Sequence, residues 1–563
     1  MAVFEETPSK DSHLDDSARL FCTIVNSRNN DGHTEYILKV HRGYNEENHW
    51  TIFRRYSEFC ALHKDLKAVY YEINLPPKKF FGNLEVQFVK DRQHKLQSYL
   101  NKVLDHIVLS SSYYLKRFLD SDNYYDSIQD NDFQNASMAL RGKTDFHTMK
   151  PTPNIGWRFN KQYCNVKKFN DSRKYILTWI SDYGIRRCLN DKETQSAFKV
   201  LLELSHPYIM PIIAGDCYTT GTLVIRSCSS KGSLREWICR RTPFDHFLDK
   251  CRRYRDESVI IPSNEVSTIS IQVLHALNFL HKKNIPYGNL HTGNIFIEDE
   301  VAKISEVENG ILGLPSFYKR FLIENRRIKS IQDVDVYCFG HVLYEMAFGE
   351  RLDACFFDSE ILVLDCYEHL RPVLRLLLSS SLETKLPAVL ELLSSNAFCS
   401  GSSKIKFNNP PRIKITSQSK AVFSKCLTNI EDNLIKEQNE LKKHKKRMRL
   451  LEEVEASECN INVEERRKSR RKSSQSNTKI RADLDQFENM SNCSGRTSLS
   501  TDSSSPNSGC DKTNETNNVA PKIIPDSSGT SPSVSESSDR SAFLQSIVNF
   551  NKNKLKKANS NGI

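Results

Sequence analysis

Tyr287-Gly288-Asn289-Leu290-His291-Thr292-Gly293-Asn294-Ile295-Phe296-Ile297 decides the reading of this 563-residue chain. The stretch opens as a polar loop with two glycines and closes as an apolar run, the pattern of a tight turn feeding a strand. Before it, Val266, Ile269, Val273, Leu277 and Leu280 recur at helical spacing and lead to His281, so an amphipathic helix delivers the loop. Further on, Asp335-Val336-Tyr337-Cys338-Phe339-Gly340-His341-Val342-Leu343-Tyr344-Glu345-Met346 reads as a second, largely apolar helix. The loop carries carboxamides at Asn289 and Asn294, and Asn289 accepts no proton at neutral pH.

Composition sets the frame. Hydrophobic residues make up 38% and charged residues 26%, a shortfall of apolar side chains that implies a folded part with a polar part attached. Lys and Arg number 80 against 69 Asp and Glu, a net charge of +11 that favours anionic partners without choosing among lipid, phosphate and nucleic acid. The 16 cysteines contain no C-x-x-C pair, which favours reduced thiols in a cytosolic chain. No apolar run reaches the ~20 residues of a membrane-spanning helix, and the first residues show no secretory signal.

The chain divides accordingly into a tail (1–14), a first domain (15–124), a polar connector (125–150) and a larger domain (151–427). A charged, basic helical segment (428–474), a Ser-rich disordered linker (475–538) and a terminal apolar-basic motif (539–560) follow. The fold class expected is multidomain α+β.

The loop at 287–297 resembles the protein-kinase catalytic loop H-R-D-L-K-x-x-N, and the helix at 335–346 resembles the kinase D-V-W-S-F-G segment. His206-Pro207-Tyr208-Ile209, Leu223-Val224-Ile225 and Gly232-Ser233-Leu234 fall in kinase order upstream. The resemblance implies a bilobal protein-kinase-like fold over 151–427. Its chemistry departs from the pattern. Phosphoryl transfer needs a base near the acceptor hydroxyl, a lysine on the phosphates and carboxylate-held magnesium. Asn289 stands for the base, His291 for the following lysine, and Glu306-Val307-Glu308 for D-F-G. Trp179 falls near the strand lysine's place and Ala197 near its helix partner, while only Gly156 marks the glycine loop. Asn294 and Glu306 remain as a vestigial nucleotide or metal site. The expectation is a pseudokinase with no catalytic residues, cofactor or resident metal. The alternative is an atypical but active serine/threonine kinase.

In the first domain, Tyr36-Ile37-Leu38-Lys39-Val40 and Trp50-Thr51-Ile52-Phe53 read as strands of an antiparallel sheet. Arg54-Arg55-Tyr56 follows the second strand, Leu75-Pro76-Pro77-Lys78 makes a stiffened loop, and Arg92 precedes a helix carrying Leu96, Tyr99, Val103 and Ile107. This set resembles the phox-homology (PX) domain, which binds phosphoinositides. By that resemblance Arg55 takes the 3-phosphate, Tyr56 stacks under the inositol ring, Lys78 meets the 1-phosphate and Arg92 bonds the ring hydroxyls. Guanidinium forks and an ammonium suit those roles. Phe80 and Phe81 suit either bilayer insertion or core packing.

The basic runs at 442–449 and 466–472 fit a solvated charged helix, a nuclear signal or attraction to an acidic leaflet. No aromatic residues interleave them, so nucleic acid is not an expected partner. At the end of the chain, Leu544 and Ile547 lie on one face of a short helical pattern, with Leu555-Lys556-Lys557 beyond. This order resembles the WASP-homology actin-binding motif and implies monomeric actin as a partner. The pairing of a phox-homology domain with a degenerate kinase resembles a family tied to endosomal trafficking. That resemblance implies a cytoplasmic protein peripheral to endosomal or plasma membrane, with endocytosed receptors or sodium-pump subunits as partners.

Overall fold

Strand alternation builds the first layer. In a computed structural model of the chain, β1 (Leu20–Asn30), β2 (His33–Arg42) and β3 (His49–Arg55) form an antiparallel sheet in that order. Tyr36, Leu38 and Val40 are completely buried on its inner face. Against that face pack α1 (Tyr56–Lys67), α2 (Val86–Asp105), α3 (Ile107–Ser110) and α4 (Tyr113–Leu119). The helical spacing of Phe59, Leu62 and Leu66, and of Leu96, Tyr99, Val103 and Ile107, is what turns those residues inward.

The structure describes residues 14–451 and 453, apart from 31, 68–72, 79–83, 126, 153–154, 159, 182–187, 230, 252–258, 358–364, 381–384 and 402–410. Phe80, Phe81, the basic run at 466–472 and the terminal motif with Leu544, Ile547, Leu555, Lys556 and Lys557 therefore lie outside the described residues. The described residues fall in one compact unit.

The expected connector at 125–150 is corrected. It folds as α5 (Ser127–Arg141) and β4 (Phe146–Pro151). Strand β4 is the edge of a five-stranded antiparallel sheet, order β4-β5-β6-β8-β7, with β5 (Lys161–Lys168), β6 (Lys174–Ser181), β7 (Ala214–Tyr218) and β8 (Gly221–Ser227). Helix α6 (Asp191–Leu202), started by an Asn190/Glu193 capping box, crosses between β6 and β7. Phe133, Ala136 and Leu140 of α5 share a helix face and cover Cys164, Val166, Tyr175, Leu177, Trp179, Leu223 and Ile225 of the sheet.

The larger lobe is helical, with α7 (Leu234–Ile238) and α8 (Ser263–Lys282) followed by the hairpin β9 (Ile295–Glu298) and β10 (Val301–Ile304). Then come α9 (Lys319–Glu324), α10 (Ile331–Phe348), α11 (Arg371–Leu378) and α12 (Val389–Leu393). Helix α10 is buried on nearly every side and is the centre of the lobe. A final helix, α13, spans residues 417–451 and so begins inside the region expected to end at 427. Its first turns bury Val422, Phe423 and Cys426.

The first domain packs on this body. Lys319 Nζ donates to Ser17 Oγ at 2.8 Å, Arg320 Nη2 lies 3.0 Å from Asp105 Oδ1, and His106 Nε2 lies 3.4 Å from Asp353. Helix α13 ties both parts together. Glu437 meets Lys319 at 3.1 Å, Lys445 meets Glu324 at 2.7 Å, and the His444 ring lies against Phe21 and Tyr44.

Candidate functional site

Two sites were legible as motifs, and the structure treats them differently. In the first domain, strand alternation separates the two arginines at the end of β3. Arg54 turns toward the helices and donates to the Phe118 carbonyl through Nε (2.9 Å) and Nη2 (2.6 Å). Arg55 points the other way, half exposed, with Nε 3.6 Å from Glu35 Oε1. Tyr56 gathers the remaining residues. Its hydroxyl donates to the Pro76 carbonyl, two residues before Lys78, and the Arg92 guanidinium lies 4.3 Å from its ring centroid.

Arg92 is only 6% exposed and also lies 4.3 Å from the Phe88 ring centroid. Its Nε and Nη2 find no hydrogen-bond acceptor among the described residues. Burying such donors without acceptors costs about 1–3 kcal/mol, so a ligand with clustered oxygens would relieve the deficit. The structure thus joins Tyr56, Arg92 and the proline loop that carries Lys78. Arg55 is held nearby on the outer face by a carboxylate. Arg92 lies thirteen residues before Asp105 in α2, about 20 Å at helical rise, so this pocket is remote from the contacts with the kinase-like lobe.

The second site is the cleft between the lobes. Asp335 of α10 positions the catalytic-loop segment: Oδ1 accepts from Gly288 N at 2.9 Å and Oδ2 lies 2.9 Å from His281 Nε2. Gly288 has φ +68°, and a Cβ there would lie 2.6 Å from Ile331 Cδ1, so the loop needs glycine at this point. Asn289 follows, completely buried. Its Oδ1 accepts from Arg158 Nη2 (3.3 Å) and Phe317 N (3.1 Å), and its Nδ2 donates to Glu306 Oε2 (3.2 Å).

Glu306 is the hub. Oε2 also accepts from Nδ2 of Asn294 (3.2 Å) and of Asn309 (2.8 Å), while Oε1 lies 2.9 Å from Lys161 Nζ. Burial alone would raise this carboxyl, but Lys161, Arg158 and the Asn309 amide outweigh it and hold it well below the usual carboxylate range. Lys161 also donates to Asn309 Oδ1 at 2.8 Å. Beside this set, Arg226 bonds Glu308 through Nη1 (3.1 Å) and Nη2 (2.5 Å). Burial pushes His291 down to about 3, a neutral imidazole whose Nδ1 accepts from Gly293 N.

Sequence reasoning missed Lys161. The ammonium beside Glu306 comes from the start of β5, where it is in phase with Tyr163 on the cleft side, while Cys164 and Val166 face α5. Trp179 does not face the cleft. It shares the outer face with Tyr175 and Leu177, and Ile176 and Thr178 of β6 line the cavity instead. Arg158 was missed as well. It is 7% exposed, stacks 4.2 Å from the Trp157 ring centroid, and donates to Pro315 O as well as to Asn289.

The cavity between the lobes, about 160 Å³, has apolar walls at Ile155, Ile176, Met210 and Phe296 and ends at Arg158, Asn294 and Glu306. Magnesium would need oxygen ligands at that end. Glu306 instead receives three amide N–H groups and an ammonium, a donor set that does not fit a hard dication.

Comparison with known proteins follows this geometry. A family profile described as "PX domain" matches residues 42–122. A Mus musculus protein named "PX domain-containing protein kinase-like protein" is 34% identical over 461 residues, 79% of this chain and 76% of that one. A Dictyostelium discoideum protein named "Probable inactive serine/threonine-protein kinase slob2" is 28% identical over 297 residues, 51% of this chain and 49% of its own. The "Slowpoke-binding protein" of Drosophila melanogaster is 32% identical over 169 residues, 29% of this chain and 32% of its own.

Proposed function

The chain belongs to the family of PX domain-containing protein kinase-like proteins, and from that membership we propose that it is a membrane-recruited scaffold. Its PX domain binds phosphoinositide, with phosphatidylinositol 3-phosphate as the headgroup, and its kinase-like domain holds partners without transferring phosphate. The protein then resides in the cytoplasm, peripheral to endosomal or plasma membrane. Its partners are membrane proteins such as endocytosed receptors or sodium-pump subunits. A relative named for binding Slowpoke supports a scaffold that holds a protein partner. The terminal motif at Leu544, Ile547, Leu555, Lys556 and Lys557 adds monomeric actin.

The observation that carries the scaffold reading is the occupation of Asn289. The place of the catalytic base is filled by a carboxamide whose oxygen is taken by Arg158 and Phe317 N and whose nitrogen is spent on Glu306. Asn289 accepts no proton, the neighbouring Glu306 carboxylate is tied to Lys161 and three side-chain amides, and catalysis depends on the constellation more than on the fold. The lipid reading rests on Arg92, whose unpaired buried donors suit ring hydroxyls, with the Tyr56 ring against it and with Arg55 and Lys78 as the further proposed contacts.

Vesicle flotation tests the lipid reading. Wild-type protein is expected to bind neutral vesicles doped with phosphatidylinositol 3-phosphate. Arg55→Ala or Arg92→Ala should each cost about 1.5–3 kcal/mol of binding, the scale of a charge-assisted hydrogen bond. Equal flotation of wild type and both variants would remove the pocket assignment. A phosphoryl-transfer assay on the full chain tests the other half, with no transfer expected. Robust transfer that disappears in Asn294→Ala would favour the alternative, an atypical serine/threonine kinase.

A further inference from the structure

Helix α13 has two faces with different fates. Its inner face is fully engaged. Phe423 and Cys426 are buried, Gln438 Nε2 lies within hydrogen-bond reach of the carbonyls of Leu322 (3.1 Å), Asn325 (3.2 Å) and Ile328 (3.0 Å), and His444 lies on the Phe21 and Tyr44 rings. Three of its basic residues are spent on anchoring, Lys425 on Glu193, Lys445 on Glu324 and Arg447 on Glu46 of the PX domain. The helix is therefore fixed to the folded unit along its length.

The outer face is cationic and open. Lys436, Lys442, Lys443, Lys446 and Arg449 are exposed. Lys442, Lys446 and Arg449 stand four and three residues apart, and Lys443 stands three before Lys446, so these four share one side of the helix. None of the five has an ion-pair partner among the described residues. On the same side stands Leu450, four residues after Lys446 and seven after Lys443, and it is 52% exposed. Exposed Asp432 precedes this stripe and exposed Glu453 follows it, and the cations between them outnumber these two acids.

We infer that this outer face of α13 is a second membrane-docking surface, which takes an anionic lipid leaflet independently of the phosphoinositide pocket. The inference rests on the reading that the chain works at membranes. Two features select the leaflet. Unpaired exposed lysines on a rigid helix complement a negatively charged surface, and the exposed Leu450 side chain among them suits an interface with an acyl region. Nucleic acid would leave Leu450 in water and would find no aromatic platform on this face. The site is also placed apart from the lipid pocket. Arg447 anchors the helix at Glu46, before the start of β3, whereas Arg55 stands at the end of that seven-residue strand, about 20 Å away at strand rise.

The experiment uses the full chain and two kinds of vesicle: phosphatidylcholine with phosphatidylserine and no phosphoinositide, and phosphatidylcholine doped only with phosphatidylinositol 3-phosphate. Wild type is expected to float with the phosphatidylserine vesicles at low salt and to dissociate at high salt. The variant Lys442→Gln, Lys443→Gln, Lys446→Gln, Arg449→Gln should lose about tenfold or more of that binding. It should keep its circular dichroism, its melting temperature and its binding to the phosphoinositide vesicles. Adding Leu450→Gln to the fourfold variant should further weaken the low-salt binding that remains. Unchanged phosphatidylserine binding in the fourfold variant would overturn the proposal. So would binding of the wild type to single-stranded RNA, or to an acidic peptide, without binding to these vesicles. Absence of phosphoinositide binding in the wild type, with its phosphatidylserine binding intact, would instead count against the pocket reading alone.

Discussion

Arg226→Met is expected to destabilise the folded unit by about 3–5 kcal/mol, the cost of leaving one member of a buried ion pair without its partner. Glu308 is completely buried, and both terminal guanidinium nitrogens of Arg226, Nη1 and Nη2, reach its carboxylate, at 3.1 and 2.5 Å. Such a pair adds little net stability, because desolvating both charges offsets their attraction, but removing only the cation strands the anion. Whole domains are stable by only about 5–15 kcal/mol, so the single variant should unfold at clearly lower denaturant. The pair also couples β8 to the segment that follows β10, so the loss should be felt in both lobes. The double variant Arg226→Met, Glu308→Met removes both charges and should recover most of the difference. Denaturant unfolding of the three proteins separates the cases. If the single and double variants unfold together near wild type, the pair is electrostatically idle.

The parts of this fold that were legible in the sequence are those where information is local. Val266, Ile269, Val273, Leu277 and Leu280 announce α8 because helical period is a property of neighbours. Arg54-Arg55-Tyr56 announces the end of β3 in the same way, and alternation alone explains why Arg54 reaches the Phe118 carbonyl while Arg55 turns outward. What escaped was set by tertiary pairing. Lys161 meets Glu306 across 145 positions of chain, and nothing in either neighbourhood names the other. Alternation within β5 would have placed Lys161 on the face opposite Cys164 and Val166, but not beside a carboxylate. Helix α5 was hidden for a different reason. Its outer face is so polar that the composition of 125–150 resembles a linker, and only Phe133, Ala136 and Leu140 betray the inner face. The boundary at 427 failed because α13 turns from an apolar, buried start to a charged, exposed end without a break.

That last error has a measurable consequence. A fragment of residues 151–427 follows the boundaries read from composition, and it is expected not to fold. Removing α5 and β4 uncovers Cys164, Val166, Tyr175, Leu177, Trp179, Leu223 and Ile225, which form one apolar layer with Ala136, Ala139, Leu140 and Phe146. Deleting buried large side chains costs about 2–5 kcal/mol apiece, so losing Leu140 and Phe146 alone is comparable to the stability of an ordinary domain. The new C-terminus adds to the damage. Cutting after 427 leaves only the first turns of α13 and removes Gln438 from the carbonyls of Leu322, Asn325 and Ile328 and Glu437 from Lys319. Strand β5 would become an edge and expose its unpaired backbone groups, a template for aggregation. A fragment of residues 14–453 keeps both layers, the PX contacts at Ser17, Asp105 and His106, and all of α13 as far as it is described. It should be soluble and should melt cooperatively by circular dichroism, with the shorter piece insoluble or without a transition. A cooperative melt of the 151–427 fragment close to that of the longer one would mean that α5 and α13 decorate the kinase-like lobes without supporting them.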